Sequence, residues 1–415
     1  MQDNIKRLID NFLSMTALQV VQYILPLITL PYLVRVIGVA NYGINAFAAA
    51  FIAYFGILTD YGFGICSTKD IATNRHNKNN ISHIFNLVIA SKFILLLVSA
   101  IILLLAIVFV PKIHEYWLVF VLSFTNIIGF VLFPAWFFVG MERAKYSAIL
   151  NIIARLFFLV AVFIFVKKAD DYILIPLLTS LGSLIAGIIG YVYAVKEFDL
   201  KIYIPDIKSI FKQLKYATPF FFSNLSLVAY TNTNTFVLGL IGSNTMVGFY
   251  AAAYNIYNAI LNIRYPISAS LYPYMARYKD VKLYKKIILS ALVITFVSSA
   301  FLFIFSKYVI GIFYGWAMLP AHVVFRIFCV ALFFEMMHSF FGYQLLGVFG
   351  HMKTVNNIIM GGAIFHIFML GVLYICNALT IYSVALLVTF TTLLLLSLKL
   401  FYTLKYKLLS QKAIS

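Results

Sequence analysis

The 415-residue chain has a composition that excludes a soluble protein: 63% of its residues are hydrophobic, only 11% are charged and the mean hydropathy is +0.99. A formal net charge of +18 raises nucleic acid as a partner, but the bases lie between apolar stretches rather than in one patch, so membrane orientation accounts for them and no nucleic acid is expected. Cys66, Cys329 and Cys376 show neither pairing nor metal spacing, the histidines form no HExxH arrangement, and there is no Gly-x4-Gly-Lys-Ser/Thr phosphate loop, so no metal, cofactor or ATP hydrolysis is expected.

The chain opens with MQDNIKRLIDNFLSMTALQVVQYILPL, which has a basic start, no small-residue cleavage site and an apolar run too long for a signal peptide. It reads as a retained first helix. A bilayer core of about 30 Å takes about 20 helical residues. Cutting at polar, glycine, proline and charge clusters gives about twelve spans, near 11–37, 42–65, 83–110, 116–139, 147–166 and 172–195 in the first half. The second set lies near 216–241, 247–272, 286–306, 320–347, 355–376 and 379–403.

Alternate connections differ sharply in charge. One set carries Lys6, Arg7, Lys69, Arg75, Lys78, Arg143, Lys145, Lys196, Lys353 and the bases of 201–215, 277–286 and 405–412. The other carries only Lys112, Lys167, Lys168 and Lys307. The positive-inside rule puts the first set, and both termini, in the cytoplasm. Residues 196–215 read as a cytoplasmic amphipathic linker between an N-terminal six-helix bundle, 1–195, and a C-terminal one, 216–415. The short connections leave no room for an extramembrane catalytic domain, so the chain is not expected to be an enzyme.

A phrase returns. VIGVANYGINAFAAA joins the first two spans and LIGSNTMVGFYAAAY joins the seventh and eighth; Gly43 and Gly248 are 205 residues apart. With six spans per half, both halves insert in the same orientation, which predicts a parallel internal repeat. Polar faces recur with it. Gln19, Gln22, Pro26 and Thr29 share one face of the first span. Asn224, Thr231 and Asn234, with Tyr230 and Thr235 beside them, mark the seventh, and Asn255, Asn258, Asn262 and Tyr265 mark the eighth. Amide stripes facing lipid are costly, so these faces are expected to meet water in a cavity, with interhelical hydrogen bonding as the alternative.

Five bases within the spans stand out, Arg35, Lys92, Arg155, Arg264 and Arg326, against the acids Asp60 and Glu335. A charge at the bilayer centre costs about 2.5–3.5 kcal/mol on insertion scales, so each needs water, a partner or a route to the headgroups. Arg35 and Arg326 lie near outer helix ends, where snorkelling accounts for them as well as a lumen role does. Lys92, Arg155 and Arg264 each lie roughly 12 Å from the cytoplasmic end, at a rise of about 1.5 Å per residue. Together they suggest a basic inward-facing vestibule for a phosphate or pyrophosphate; pairing with a neighbour such as Asp60 is the alternative. Glu335, with His338 one turn on, is a candidate proton or cation site or a counter-ion for Arg326, and Asp60 is a second candidate for ion coupling.

Four stretches carry a family resemblance: LPLITLPYLVRVIGVANYG at 25–43, DYGFGICSTKDIA at 60–72, WFFVGMERAKYSAILNIIARLFFL at 136–159 and YATPFFFSNL at 216–225. They resemble the O-antigen flippases (Wzx), in the polysaccharide transporter family of the multidrug/oligosaccharidyl-lipid/polysaccharide (MOP) exporter superfamily, over essentially the whole chain. The resemblance implies an all-α integral membrane protein with two six-helix bundles around a central cavity. It implies a multi-pass protein of a bacterial inner membrane that moves an undecaprenyl-pyrophosphate-linked oligosaccharide from the cytoplasmic to the periplasmic leaflet, in contact with membrane lipid. On it, Lys92, Arg155, Arg264 and Arg35 become candidate pyrophosphate contacts, and Gln19, Gln22, Asn224, Thr231, Asn234, Asn255, Asn258, Asn262 and Tyr265 candidate cavity or glycan contacts. H+ or Na+ is the expected coupling ion, and a polysaccharide polymerase and chain-length regulator are candidate partners. The alternatives are a multidrug/cation antiporter of the same superfamily, disfavoured by the excess of bases, a membrane enzyme, and a non-transporting component of polysaccharide assembly.

Overall fold

The structure, a computed structural model, describes the backbone from Gln2 to Ser410, with side chains at all of these positions except 2–24, 26, 27, 223, 226–231, 266, 269, 270 and 410. The described residues are helical throughout, joined by short turns and one extended stretch. They form two compact units, Met1–Val228 and Ala229–Ser415, whose boundary falls inside one helix.

The first unit contains α1 (Gln2–Asp60), α2 (Phe63–Asn74), α3 (Lys78–Phe109), α4 (Pro111–Glu115), α5 (Trp117–Leu132), α6 (Ala135–Gly140), α7 (Ala144–Phe165) and α8 (Leu174–Glu197). It also contains the start of α9 (Ile207–Ile241). Helix α1 covers two expected spans because it does not stop between them but breaks at Gly38, where φ is 79° and ψ 168°. That region of backbone space is essentially open to glycine alone. Helices α5 and α8 pack backbone to backbone. A Cβ added at Gly129 would lie 2.4 Å from the Ser183 carbonyl carbon, and one at Gly187 would lie 2.5 Å from the Gly129 oxygen. Small residues serve this purpose in a bilayer, where close packing rather than water exclusion holds helices together.

The segment expected as a linker, 196–215, begins with the last residues of α8, turns at 198–199, runs extended and then enters α9 at Ile207. The extended part is tied to the first turns of α3. The Asn86 amide donates to the Lys201 carbonyl at 2.7 Å and accepts from the Tyr203 N–H at 3.2 Å, while the Lys201 N–H donates to Ser82 Oγ at 3.2 Å. Asp206 then accepts from the Ser209 N–H at 3.0 Å, and the bonds from Ser209 hold its carboxyl below the usual carboxylate range.

The second unit continues with α10 (Asn244–Leu261), α11 (Arg264–Tyr278), α12 (Val281–Ile304), α13 (Ser306–Tyr314), α14 (Ala321–Phe340), α15 (Met352–Ile375) and α16 (Ile381–Lys405). Helix α10 starts at Ser243, whose side chain caps the N–H of Met246. Ser243 and Gly38 are 205 residues apart, so the offset that relates the two phrases also relates the two helix breaks. A π-helical turn, Gly342–Gly347, follows α14.

Among the described residues, nine helical stretches are long and apolar enough to cross a bilayer, beginning with Ile28–Asn74, which joins the first two expected spans. The spans expected near 216–241 and 247–272 are not among the nine. Helix α10 is rich in tyrosine and asparagine, and part of α9 lies outside the described side chains.

Candidate functional site

In the first unit the intramembrane charges meet as a pair. Asp60 ends α1 and Lys92 lies midway along α3, with Nζ 3.3 Å from Asp60 Oδ1. The Lys92 ammonium also stands over the Phe130 ring, 5.3 Å from its centroid. Lys92 is 2% exposed and Asp60 21%, so the acid faces outward and the base is shut in. The expected basic vestibule is therefore not open at Lys92. Arg155 and Arg35 both lie exposed on this unit.

Phe130 also lines a cavity of about 420 Å³ between α1, α5, α7 and α8. Its polar lining comes from Asn45, Ser123, Asn126, Asn151, Thr179, Ser180 and Ser183. Of these, Ser123 and Asn126 sit at i and i+3 on α5, with the Phe130 ring at i+7 on the same face. Two polar residues one turn apart are too short a run to mark a polar face in sequence, so this wall passed unread. Gly56 lines the same cavity one turn before Asp60, which brings the ion pair close to its wall.

The second unit holds a chain of four groups. The Arg264 guanidinium, at the first residue of α11, donates to Glu335 Oε1 on α14 at 2.8 Å. Glu335 Oε2 lies 2.9 Å from His338 Nε2. The Lys399 ammonium on α16 donates to His338 Nδ1 at 2.8 Å and to the His338 carbonyl at 3.2 Å. An ammonium only donates, so Nδ1 accepts and the neutral ring carries its proton on Nε2, the nitrogen that lies near Glu335 Oε2 without a hydrogen bond to it. Gly342, in the π-helical turn, makes room for this: a Cβ there would lie 3.1 Å from Lys399 Nζ. The counter-ion of Glu335 is thus Arg264 and not Arg326, which donates to Ser306 Oγ at 2.9 Å. Lys399 went unread in the sequence because a base six residues before the helix end resembles an ordinary interfacial lysine.

Exposure in this unit is reversed. The Arg264 side chain is 27% exposed and that of Glu335 4%. The asparagine face leads directly to Arg264: Asn255, Asn258 and Asn262 are half-buried in sequence before it, and Tyr265 after it is exposed. Asn224 is half-buried, and Asn234 is buried and bonded to His366 at 2.8 Å. Gln19, Gln22 and Thr231 lie outside the described side chains.

The family described as polysaccharide biosynthesis protein matches residues 8–279. A protein of Escherichia coli (strain K12) is 30% identical over 282 residues, 66% of this chain and 68% of that one. One of Shigella dysenteriae is 28% identical over 269 residues, 64% and 67% of the two chains. Both bear the provisional name of O-antigen transporter. Among solved structures, the lipid II flippase MurJ in an inward closed conformation has a TM-score of 0.75 at 16% identity, over 96% of this chain and 88% of that one. An inward-facing multidrug resistance transporter of the MATE family of the MOP superfamily has a TM-score of 0.70 at 15% identity, over 93% and 95%. At those identities the likeness is one of fold. The family match over residues 8–279 and the shared fold lead to one conclusion: this multi-pass helical membrane protein belongs to the polysaccharide biosynthesis protein family and has the MOP-superfamily fold.

Proposed function

We propose that the protein is a flippase for undecaprenyl-pyrophosphate-linked O-antigen or related polysaccharide repeat units. In this reading it has twelve spans in two six-helix bundles with cytoplasmic termini, and it moves the lipid-linked unit from the cytoplasmic to the periplasmic leaflet of a bacterial inner membrane by alternating access. Family membership and relatives named as O-antigen transporters support the substrate class. The observation that carries the mechanism is the inverted exposure of the two ion pairs, base outward in one unit and acid outward in the other.

Arg264, outward of Glu335, is the base an anionic headgroup reaches first. A pyrophosphate oxygen exchanging for Glu335 Oε1 keeps the guanidinium paired throughout, so the exchange is not opposed by leaving a buried cation bare. Glu335 retains His338 during that exchange. The amides of Asn255, Asn258 and Asn262 lie next to Arg264 in sequence, suited to sugar hydroxyls beside a pyrophosphate. Asp60, outward of Lys92, is the group placed to take the coupling ion, H+ or Na+.

The test is transfer of a labelled lipid-linked oligosaccharide between leaflets of proteoliposomes. A charge-assisted hydrogen bond is worth about 1.5–3 kcal/mol, so Arg264→Gln is expected to slow transfer about tenfold to a hundredfold while the protein still reaches the membrane. Transfer by Arg264→Gln at the parental rate would remove Arg264 from the substrate path, and no protein-dependent transfer of any lipid-linked glycan would overturn the flippase reading.

A further inference from the structure

The cavity of the first unit, about 420 Å³ between α1, α5, α7 and α8, holds polar groups that their own surroundings do not satisfy. Ser123 and Asn126 on α5 and Ser183 on α8 line it half-buried and make no hydrogen bond among the described residues. Their neighbours behave differently. Thr125 donates to the Leu122 carbonyl at 2.6 Å, Thr179 to that of Ile175 at 2.8 Å and Ser180 to that of Leu122 at 2.7 Å. A bond to a helix carbonyl is the usual way in which a hydroxyl within a membrane avoids standing bare. Ser123 and Ser183 forgo it. On α1, Asn45 spends its N–H groups on the Asn41 and Tyr172 carbonyls, at 3.0 and 3.1 Å. On α7, Asn151 donates to the Ser147 carbonyl at 2.9 Å. Both of these lining amides keep an oxygen that can accept.

The cavity thus presents hydroxyls, a whole amide and two amide oxygens, and no acid or base lines it. A phosphate or an organic cation placed there would lack a counter-charge, which is costly away from water. Water would serve the polar groups but gains nothing from the rest of the wall, where Ile52, Ile127 and the rings of Phe130 and Phe133 stand. A sugar ring suits both halves. Its hydroxyls each donate and accept, and its C–H faces pack on aromatic rings. The volume falls in the range of small-ligand pockets, about 300–1,000 Å³. The polar groups are also held rigidly. Gly129, one turn beyond Asn126, packs on the backbone of Ser183, where an added Cβ would lie 2.4 Å from the carbonyl carbon.

We propose that this cavity is a binding site for an uncharged saccharide, with Asn126, Ser123 and Ser183 as its hydrogen-bonding contacts and Phe130 as its stacking platform. The Phe130 ring also lies under the Lys92 ammonium, 5.3 Å from its centroid. The sugar site therefore adjoins the Asp60–Lys92 pair without using either charge. A part for the site in transport, holding a sugar of the lipid-linked unit, rests on the flippase reading; the sugar site itself does not.

Saturation-transfer NMR on the full-length protein in lipid nanodiscs tests the site. The probes are glucose, galactose and N-acetylglucosamine, with protonated glucosamine and glucuronate as charged counterparts. The uncharged sugars are expected to receive saturation and the charged ones not. Asn126→Leu, of similar size, should weaken binding of the uncharged sugars about tenfold, as the loss of one or two hydrogen bonds does. Where Asn126→Leu accumulates poorly, the double variant Ser123→Ala/Ser183→Ala takes its place. It removes two hydroxyls that make no hydrogen bond within the described protein, so it should weaken binding while unfolding at no lower a temperature than the parent. No saturation of any uncharged sugar, equal saturation of the charged ones, or binding unmoved by these variants overturns the proposal. In proteoliposomes, Asn126→Leu should slow transfer of a labelled lipid-linked oligosaccharide about tenfold on the same count. Transfer at the parental rate overturns the part in transport. Sugar binding by a parent protein that transfers no lipid-linked oligosaccharide overturns the flippase reading and upholds the sugar site.

Discussion

At the scale of single residues, the two ion pairs differ in which partner can be lost. Lys92 is 2% exposed, so Asp60→Asn strands a cation that no water reaches. Breaking a buried pair in that way costs about 3–5 kcal/mol. Lys92→Met instead leaves Asp60, 21% exposed and therefore partly served by solvent, so its cost is expected to be smaller, about 1–2 kcal/mol. Denaturant unfolding in mixed micelles should rank Asp60→Asn as the less stable variant, and the double variant should recover most of its loss. The reverse ranking would show that the lysine, not the aspartate, is the solvated partner. Asp60, Lys92, Arg264 and Glu335 were all legible as intramembrane charges from their positions in apolar runs. Their pairing was not, because sequence places a charge along a helix but not opposite its neighbour across the bundle. Lys399 went unread for a related reason: it looks ordinary until His338 is seen beside it.

At the scale of elements, the expected repeat rests on one short phrase, and the positions of the two helix breaks agree with its offset. How each half breaks was not legible. Gly38 adopts angles that other residues pay about 1–3 kcal/mol to hold, whereas Ser243 ends the corresponding stretch with ordinary extended angles and a side-chain cap. An added Cβ at Gly38 meets nothing within 4 Å. Gly38→Ala is therefore expected to relieve strain by straightening α1 rather than by unfolding it. Spin labels at positions 28 and 52 of a cysteine-free protein should move apart toward about 36 Å, the length of the intervening helix at about 1.5 Å per residue. An unchanged distance would show that the bend is imposed by packing and not by the glycine. The α5–α8 crossing was invisible in the sequence, since Gly129 and Gly187 read as two of many membrane glycines until the contact between them is known.

At the scale of the whole molecule, the membrane class, the helical fold and the family were all legible, because hydropathy and charge alternation act over hundreds of residues and tolerate local error. The proposed orientation rests on that alternation and has a built-in probe. Cys66 and Cys329 are buried, and Cys376, just beyond α15, is exposed. With the proposed cytoplasmic termini, the connection holding Cys376 would face the periplasm. A membrane-impermeant maleimide should label intact spheroplasts at that position, and Cys376→Ser should abolish the signal. Labelling that appears only after permeabilisation would invert the assigned topology.

The bracket that Ser82 and Asn86 place on the extended stretch has a mechanical consequence. Nine free residues, 198–206, would give a leash of about 30 Å, at about 3.3–3.6 Å each. Anchored through Lys201 and Tyr203, the stretch leaves only residues 204–206 before α9, about 10 Å of chain, with Asp206 itself tied to Ser209. A tug on the start of α9 is thus delivered within one helical turn to the foot of α3, the helix that holds Lys92. The connection works as a short tether rod rather than as slack cord.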